Sequence, residues 1–253
     1  HHARLGACDA LGAQKAAAAV PALVKTLQHE DLWLRVKAAE ALAKIGQPGM
    51  VALPEILTMI AKGATPSDPR AMEQRFLSSV VFGQMLKQSI DGVDRELLQK
   101  AIEAGLKNED GRARSVVANV YNKYTFEEIK PLLPAIHEAV VKPAPSGIMF
   151  AAGVRLSGLE LLAKHKIREG LPLIIEVMDI ENWGKAGRIP RCLDAIETYG
   201  AAAKSILPDL RQLEQDLTRH PEAKNLKIHA ERLRSIITKI ENSTETVELR
   251  SLE

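Results

Sequence analysis

Aromatic residues are scarce in this chain: four Phe, three Tyr and two Trp among 253 residues. Sandwich and barrel cores lean on aromatic and β-branched side chains, whereas the 46% apolar content here is dominated by Ala, Leu, Ile and Val. The same scarcity removes the interleaved aromatics on which single-stranded nucleic acids stack. Cysteine is nearly missing. Cys8 and Cys192 stand far apart, outside any CxxC or metal-ligand spacing, so no disulfide framework is encoded. Both lie in helical apolar patterns and read as buried thiols. No run of about 18 apolar residues exists, which excludes a membrane-spanning helix in this stretch. A large excess of one charge is also lacking. The formal net charge of +2 points to neither a nucleic acid nor an acidic membrane as partner.

What is present is a repeat. "RLGACDAL" from Arg4 and "RVKAAEAL" from Arg35 share one pattern of basic, aliphatic, any, small, small, acidic, Ala, Leu. "RFLSSVVF" from Arg75, "RSVVANVY" from Arg114 and "RLSGLELL" from Arg155 keep its basic, aliphatic and small positions, and "KIHAERLR" from Lys227 is a weaker echo. The first five begin 31, 40, 39 and 41 residues apart. Periods of that size indicate stacked helix pairs, each of which buries its apolar stripe only against a neighbour. Small residues such as Ala38, Ala39, Ala41, Ser78, Ser79 and Gly158 are expected where helices approach closely.

A second marker runs in phase with the first. Pro21, Pro54, Pro134, Pro172 and Pro208 each sit in an aliphatic segment preceding a repeat helix. Proline costs about 3 kcal/mol in a helix interior but little in the first turn. Asp31, Asp68 and Asp110 are expected N-caps, with Pro69 opening the helix after Asp68, and Gly46 and Gly200 are expected stops. The pattern predicts first helices near 15–28, 48–62, 94–107, 125–141, 168–180 and 201–219. Their partners are expected near 32–45, 69–88, 111–123, 147–164, 185–199 and 222–241. The fold expected is all-α, a right-handed α-solenoid of about six helix pairs forming one domain over 1–241. A polar, frayed tail is expected over 242–253. Because "HHARLGACDALG" opens inside a helical pattern, the chain is expected to be part of something larger. The terminal histidines carry no metal role in this reading.

The Pro in the first helix, the acidic turn and the V-R/K opening of the second resemble the HEAT repeat. "RVKAAEALAKIG" is also similar to the short HEAT-like repeats of bilin-lyase-type proteins. The stretches "LKNEDGRARS", "IKPLLPAIHEAVVKPAPSGIMFA" and "YGAAAKSILPDLRQLE" resemble the C-terminal part of large, uncharacterised bacterial proteins with HEAT-like repeats. That narrower resemblance implies no particular activity. The HEAT resemblance implies that the recurring basic residue (Arg4, Arg35, Arg75, Arg114, Arg155) is a structural ladder bonding turn carboxylates and carbonyls. It further implies that the second helices line the concave face.

Basic residues concentrate in those second helices and their turns, with Arg70, Arg112, Lys185, Arg188 and Arg191 adding to the ladder. A mildly basic binding face is therefore expected. "VVKPAPSGIMFAAG" and "ENWGKAGRIPRC" are the most distinctive connections, and long connections are where solenoids place specificity. Phe150, Trp183, Lys185, Arg188, Arg191 and Arg112 are the candidate partner-binding residues. Trp33 and Trp183 read as covers over the ends of inter-helix layers. His137 and His165 read as surface or helix-end residues, and no catalytic, cofactor or metal constellation stands out. The function expected is a non-catalytic module binding another protein or another domain of its own polypeptide through the concave second-helix face. The alternatives are a nucleic-acid-binding or glycosylase-like protein and a bilin-lyase-type module.

Overall fold

A computed structural model describes residues 2–118 and 120–252; His1, Asn119 and Glu253 lie outside it. The α-helices run in order α1 (His2–Ala13), α2 (Val20–Thr26), α3 (Leu32–Ile45), α4 (Leu53–Ala61), α5 (Met72–Val80), α6 (Arg95–Leu106) and α7 (Gly111–Ala118). They continue as α8 (Phe126–Ile129), α9 (Leu133–Val141), α10 (Ala151–Lys164), α11 (Leu173–Met178), α12 (Lys185–Tyr199), α13 (Leu207–Arg219) and α14 (Ala223–Asn242). Among the described residues, extended pairing is confined to isolated bridges: Thr65 with Asp68, Asp110 with Ser146 and Ile167 with Arg250. The architecture is the all-α solenoid the periodicity implies, built of stacked helix pairs.

The five repeat-marking prolines have a common role. Four of the Pro-bearing helices carry it at their second residue: Pro21 in α2, Pro54 in α4, Pro134 in α9 and Pro208 in α13. Pro172 stands immediately before α11. A stretch of 3₁₀ helix lies shortly before each, over Ala17–Ala19, Gln47–Ala52, Lys130–Leu132, Arg168–Gly170 and Gly200–Ile206. The missing N–H of Pro therefore falls where the chain changes from i→i+3 to i→i+4 bonding and an α-helical donor has no partner to lose.

The helix ends follow side-chain chemistry. Asp31 accepts from Leu34 N at 2.9 Å and starts α3, and α3 stops at Gly46 with φ +86°. α12 stops at Gly200 with φ +56°. The Pro69 start is corrected: α5 begins at Met72. Residues 69–71 form a turn closed by Ala71 at φ +47°, and the Asp68 carboxylate reaches over it to the amides of Met72 and Glu73, at 3.0 and 2.8 Å. A π-turn, Val81–Met85, continues α5.

The chain divides into two compact units. The first comprises the residues up to Ala135 with Ala144–Ala151; the second comprises Ile136–Pro143 with the residues from Ala152 onward. In the first, α1, α3, α5 and α7 pack in succession, with α2, α4 and α6 as their partners. Ala38, Ala39 and Ala41 are fully buried, as close helix approach requires. In the second, Leu159, Ile174, Leu193, Ile196, Leu210, Leu233 and Ile236 form one continuous core. Each such fully buried aliphatic side chain contributes about 1.5–3 kcal/mol relative to exposure. Tyr199 is buried in it and donates its hydroxyl to Ile167 O at 2.7 Å.

The tail departs from expectation. Val247 and Leu249 pack on the second unit's core, and Arg250 pairs with the backbone on either side of Ile167. It is an extended, attached segment because its apolar residues alternate and so face one side.

Candidate functional site

The recurring basic residues make unequal contacts. Arg35 binds Glu73 of the next repeat with Nε and Nη2, at 2.6 and 2.8 Å, and donates from Nη1 to the carbonyls of His29 and Glu30. Arg75 reaches Asp110 at 2.9 Å, Arg114 reaches Asn108 O at 2.7 Å, and Arg155 reaches Val140 O and Glu176. Arg4 is the exception: it is exposed and meets His29 at 3.4 Å rather than a turn carboxylate or carbonyl. Trp33 packs edge-on against Phe76 at 5.3 Å, and the Arg75 guanidinium lies 4.5 Å over that ring. Trp33 is thus tied into the scaffold.

Sequence reading missed the polar wedge behind this ladder. Gln74 and Asn108 are buried, with Asn108 Nδ2 donating to Gln74 Oε1 at 2.6 Å and Gln74 Nε2 donating to Ile60 O at 2.9 Å. Asn108 Oδ1 accepts from Asp110 N, as His29 Nδ1 accepts from Asp31 N and His220 Nδ1 from Glu222 N. The signal was present in "HED" and "NED", which occupy equivalent turns.

Residues 144–150 belong to the first unit and are clamped to its turn at 109–111. Ser146 donates from its amide and its hydroxyl to Glu109 O, at 3.0 and 2.8 Å, and Gly111 N donates to Ser146 O at 2.9 Å. A side chain at Gly111 would place its Cβ 2.5 Å from Gly147 O, so only glycine permits this approach. The held loop projects Ile148 and Met149, which are 76% and 82% exposed; Phe150 is half-buried. Beside the clamp is a cavity of about 340 Å³ lined by Arg70, Met72, Arg75, Glu109, Asp110 and Ser146. Desolvation acts to raise the Asp110 pKa, but bonds from the Arg112 amide and the Arg75 and Arg112 side chains outweigh it and hold the carboxyl below its ordinary range.

The second unit presents residues 179–184. Arg188, expected to face a partner, instead points inward and is buried. Its Nε donates to Met178 O at 3.1 Å, Nη1 to Trp183 O at 2.7 Å, and Nη2 to the carbonyls of Asp179 and Asn182 at 2.7 and 3.1 Å. The planar fork matches several converging carbonyls at once. Asn182 is further held by the Asp179 carboxylate at 3.0 Å. Trp183 also departs from expectation: it covers no layer but stands 95% exposed. Arg191 pairs with Glu160 through two bonds of 2.6 and 2.8 Å, and Lys185 with Glu222 at 2.7 Å. The bond to Glu160 raises the Arg191 pKa, and the bond from Lys185 lowers that of Glu222.

Much of the expected basic face is accordingly compensated. Arg35, Arg75, Arg112, Arg155, Lys185, Arg188 and Arg191 all have carboxylate partners. His165 closes α10 but is buried rather than superficial. Cys8 and Cys192 are free and buried, and burial pushes the Cys192 thiol up to about 12. Among the described residues no group of three or more His, Cys, Asp or Glu is placed to hold a metal ion. Among the same residues no helix is long and apolar enough to cross a membrane.

No curated protein and no solved structure matches the chain. Residues 2–73, from α1 into the start of α5, match the family model of HEAT repeats.

Proposed function

We propose that the chain is a non-catalytic, protein-binding module that engages a protein partner, or another domain of its own polypeptide, through its long connections. Trp183 carries this reading. A single exposed apolar side chain is ordinary on a protein surface. A tryptophan held out on a loop whose carbonyls are fastened by a buried arginine is different, because its backbone ordering precedes binding and need not be supplied by it. Tryptophan is also among the side chains that dominate binding energy when buried by a partner. Ile148 and Met149, on the clamped loop of the first unit, repeat the arrangement with aliphatic side chains. The paired cations favour a protein over a polyanion, since a phosphate backbone would have to compete with carboxylates already in place.

The test is site-specific photo-crosslinking. A benzophenone side chain at position 183, and separately at 149, is expected to capture a discrete protein. The same group at the exposed position Ile228 is expected not to. Capture at 149 is expected to be lost when the neighbouring Ile148 becomes Ser, while helicity is unchanged. Equal labelling from all three positions, or none, would remove the proposal.

A further inference from the structure

The attachment of the tail to the second unit has the features of a peptide complex. Residues 243–250 lie extended, with half-buried Val247 and Leu249 on the unit's core and Glu248 between them in solvent. At one end Lys204 Nζ donates to Ser243 O at 2.6 Å. At the other, Arg250 N donates to Lys166 O at 2.9 Å and Arg168 N donates to Arg250 O at 2.8 Å, the two bonds of a parallel bridge across Ile167. The Arg250 guanidinium adds a bond to His165 O at 3.3 Å.

The accepting edge has a structural origin. α10 ends at Lys164, and Lys166 takes a left-handed conformation at φ +56° before the 3₁₀ stretch from Arg168. That turn leaves the Lys166 carbonyl and the Arg168 amide unpaired within the solenoid and facing the same side. A helical stack ordinarily offers no such edge, because helices consume their own backbone groups. Here one donor and one acceptor sit at the spacing that an extended strand satisfies.

We infer that the Lys166–Arg168 edge of the second unit is a receptor for an extended peptide. It is filled in this chain by residues 243–250. Its ligand in trans is a peptide segment of the same pattern: apolar, polar, apolar, then a residue whose N–H and C=O both meet the edge. Recognition is strand addition, in which backbone bonds fix register and alternate side chains fill the surface. This site is separate from the loops assigned above and stands or falls independently of them. Tethering through the few residues from Ser243 to Val247 holds the tail at an effective concentration on the order of millimolar. A free peptide making the same contacts therefore enters only when the tail is weakened.

The experiment uses the full chain. The double variant Val247→Asp, Leu249→Asp releases the tail by placing charges on the core. A fluorescein-labelled peptide of sequence TVELRSL, residues 246–252, is then added and its anisotropy followed. Saturable binding to the released variant is expected, with binding to the unaltered chain weaker by about tenfold or more. A peptide N-methylated at the position of Arg250 loses one backbone bond and is expected to bind about tenfold more weakly. A folded variant that does not bind the peptide, or that binds both peptides equally, overturns the inference. Should the double variant fail to fold, Arg250→Pro removes the same donor while leaving Val247 and Leu249 in place, and the same peptide comparison applies. Hydrogen exchange on the unaltered chain gives an independent reading. The Arg168 and Arg250 amides are expected to be protected together, and exchange at free-peptide rates overturns the inference.

Discussion

The side-chain amides of Gln74 and Asn108 meet at 2.6 Å in the buried interior of the first unit, joining α5 to the turn before α7. Asn108 is committed twice over, since its oxygen also accepts from Asp110 N. Replacing Asn108 by Ala strands Gln74 Oε1 and the Asp110 amide together. A loss of about 2–4 kcal/mol in unfolding free energy is expected, read from denaturant titration. In a double-mutant cycle with Gln74→Ala the two losses are expected to be less than additive, because the second removal takes away a group already unpaired. Full additivity would show that the contact is not a shared network.

Arg188 and Trp183 are linked by a guanidinium-to-carbonyl bond of 2.7 Å. Arg188→Lys keeps the charge but cannot reach four carbonyls from one ammonium. With Trp33→Phe as background, Trp183 becomes the sole tryptophan of the chain, which has two. Its fluorescence anisotropy is expected to fall in the lysine variant, and stability to drop by about 2–3 kcal/mol. Charge reversal at Arg188 consequently fails to separate binding from folding; reversal at Arg191, which is part-exposed and paired with Glu160, is the gentler probe. An unchanged anisotropy in the lysine variant would show that Arg188 does not hold the loop.

Several groups have proton affinities lowered by folding. Burial, with Lys164 and Arg250 nearby, depresses His165; burial and Arg232 depress His229. The bonds from Thr125 lower Glu128, and that from Lys185 lowers Glu222. In each case the unfolded chain binds the proton more readily, so stability is complete above the unfolded pKa and is lost as pH falls through the lowered value. The melting temperature is therefore expected to be level between about pH 7 and 8 and to decline on acidification first below the ordinary imidazole value of 6.5, then again below the ordinary glutamate value of 4.5. His165→Gln is expected to shrink the first decline. A melting temperature that rises on acidification from pH 7 to 5 contradicts the assignment.

The helix pairs were legible because their signals are local. Pro21, Pro54, Pro134 and Pro208 mark first turns wherever they occur, and Asp31, Gly46 and Gly200 act on neighbours within a few residues. The candidate loops were legible as segments but not as surfaces. "ENWGKAGRIPRC" shows that a connection exists, yet whether Arg188 or Trp183 faces solvent depends on the left-handed turns at Asp179 and Gly184, with φ +42° and +87°. Gly184 announces such a turn in sequence, whereas Asp179 does not. The tail was read as frayed because its polar residues dominate the composition. Its bridge joins Arg250 to Ile167, 83 residues earlier in sequence, which no local pattern encodes.

Gly111 offers the last test, because it acts on the loop of the first unit without belonging to its exposed face. Gly111→Ala drives a methyl to 2.5 Å from Gly147 O and 3.3 Å from Ser146 O. These are backbone atoms and cannot rotate away, so the Gly111–Ser146 bond must open. Overpacking of this kind costs about 1–3 kcal/mol. Gly153→Ala, in α10, meets nothing within 4 Å and is expected to be neutral or stabilising, by up to about 1 kcal/mol. In Gly111→Ala the amides of Gly111 and Ser146 should exchange faster, and limited proteolysis should cut within 144–150. If Ile148 and Met149 bind a partner as a pre-ordered pair, affinity falls with the clamp although neither side chain has changed. If affinity is retained while proteolysis shows the loop loosened, the ordering of the loop contributes nothing and the contact is made by side chains alone.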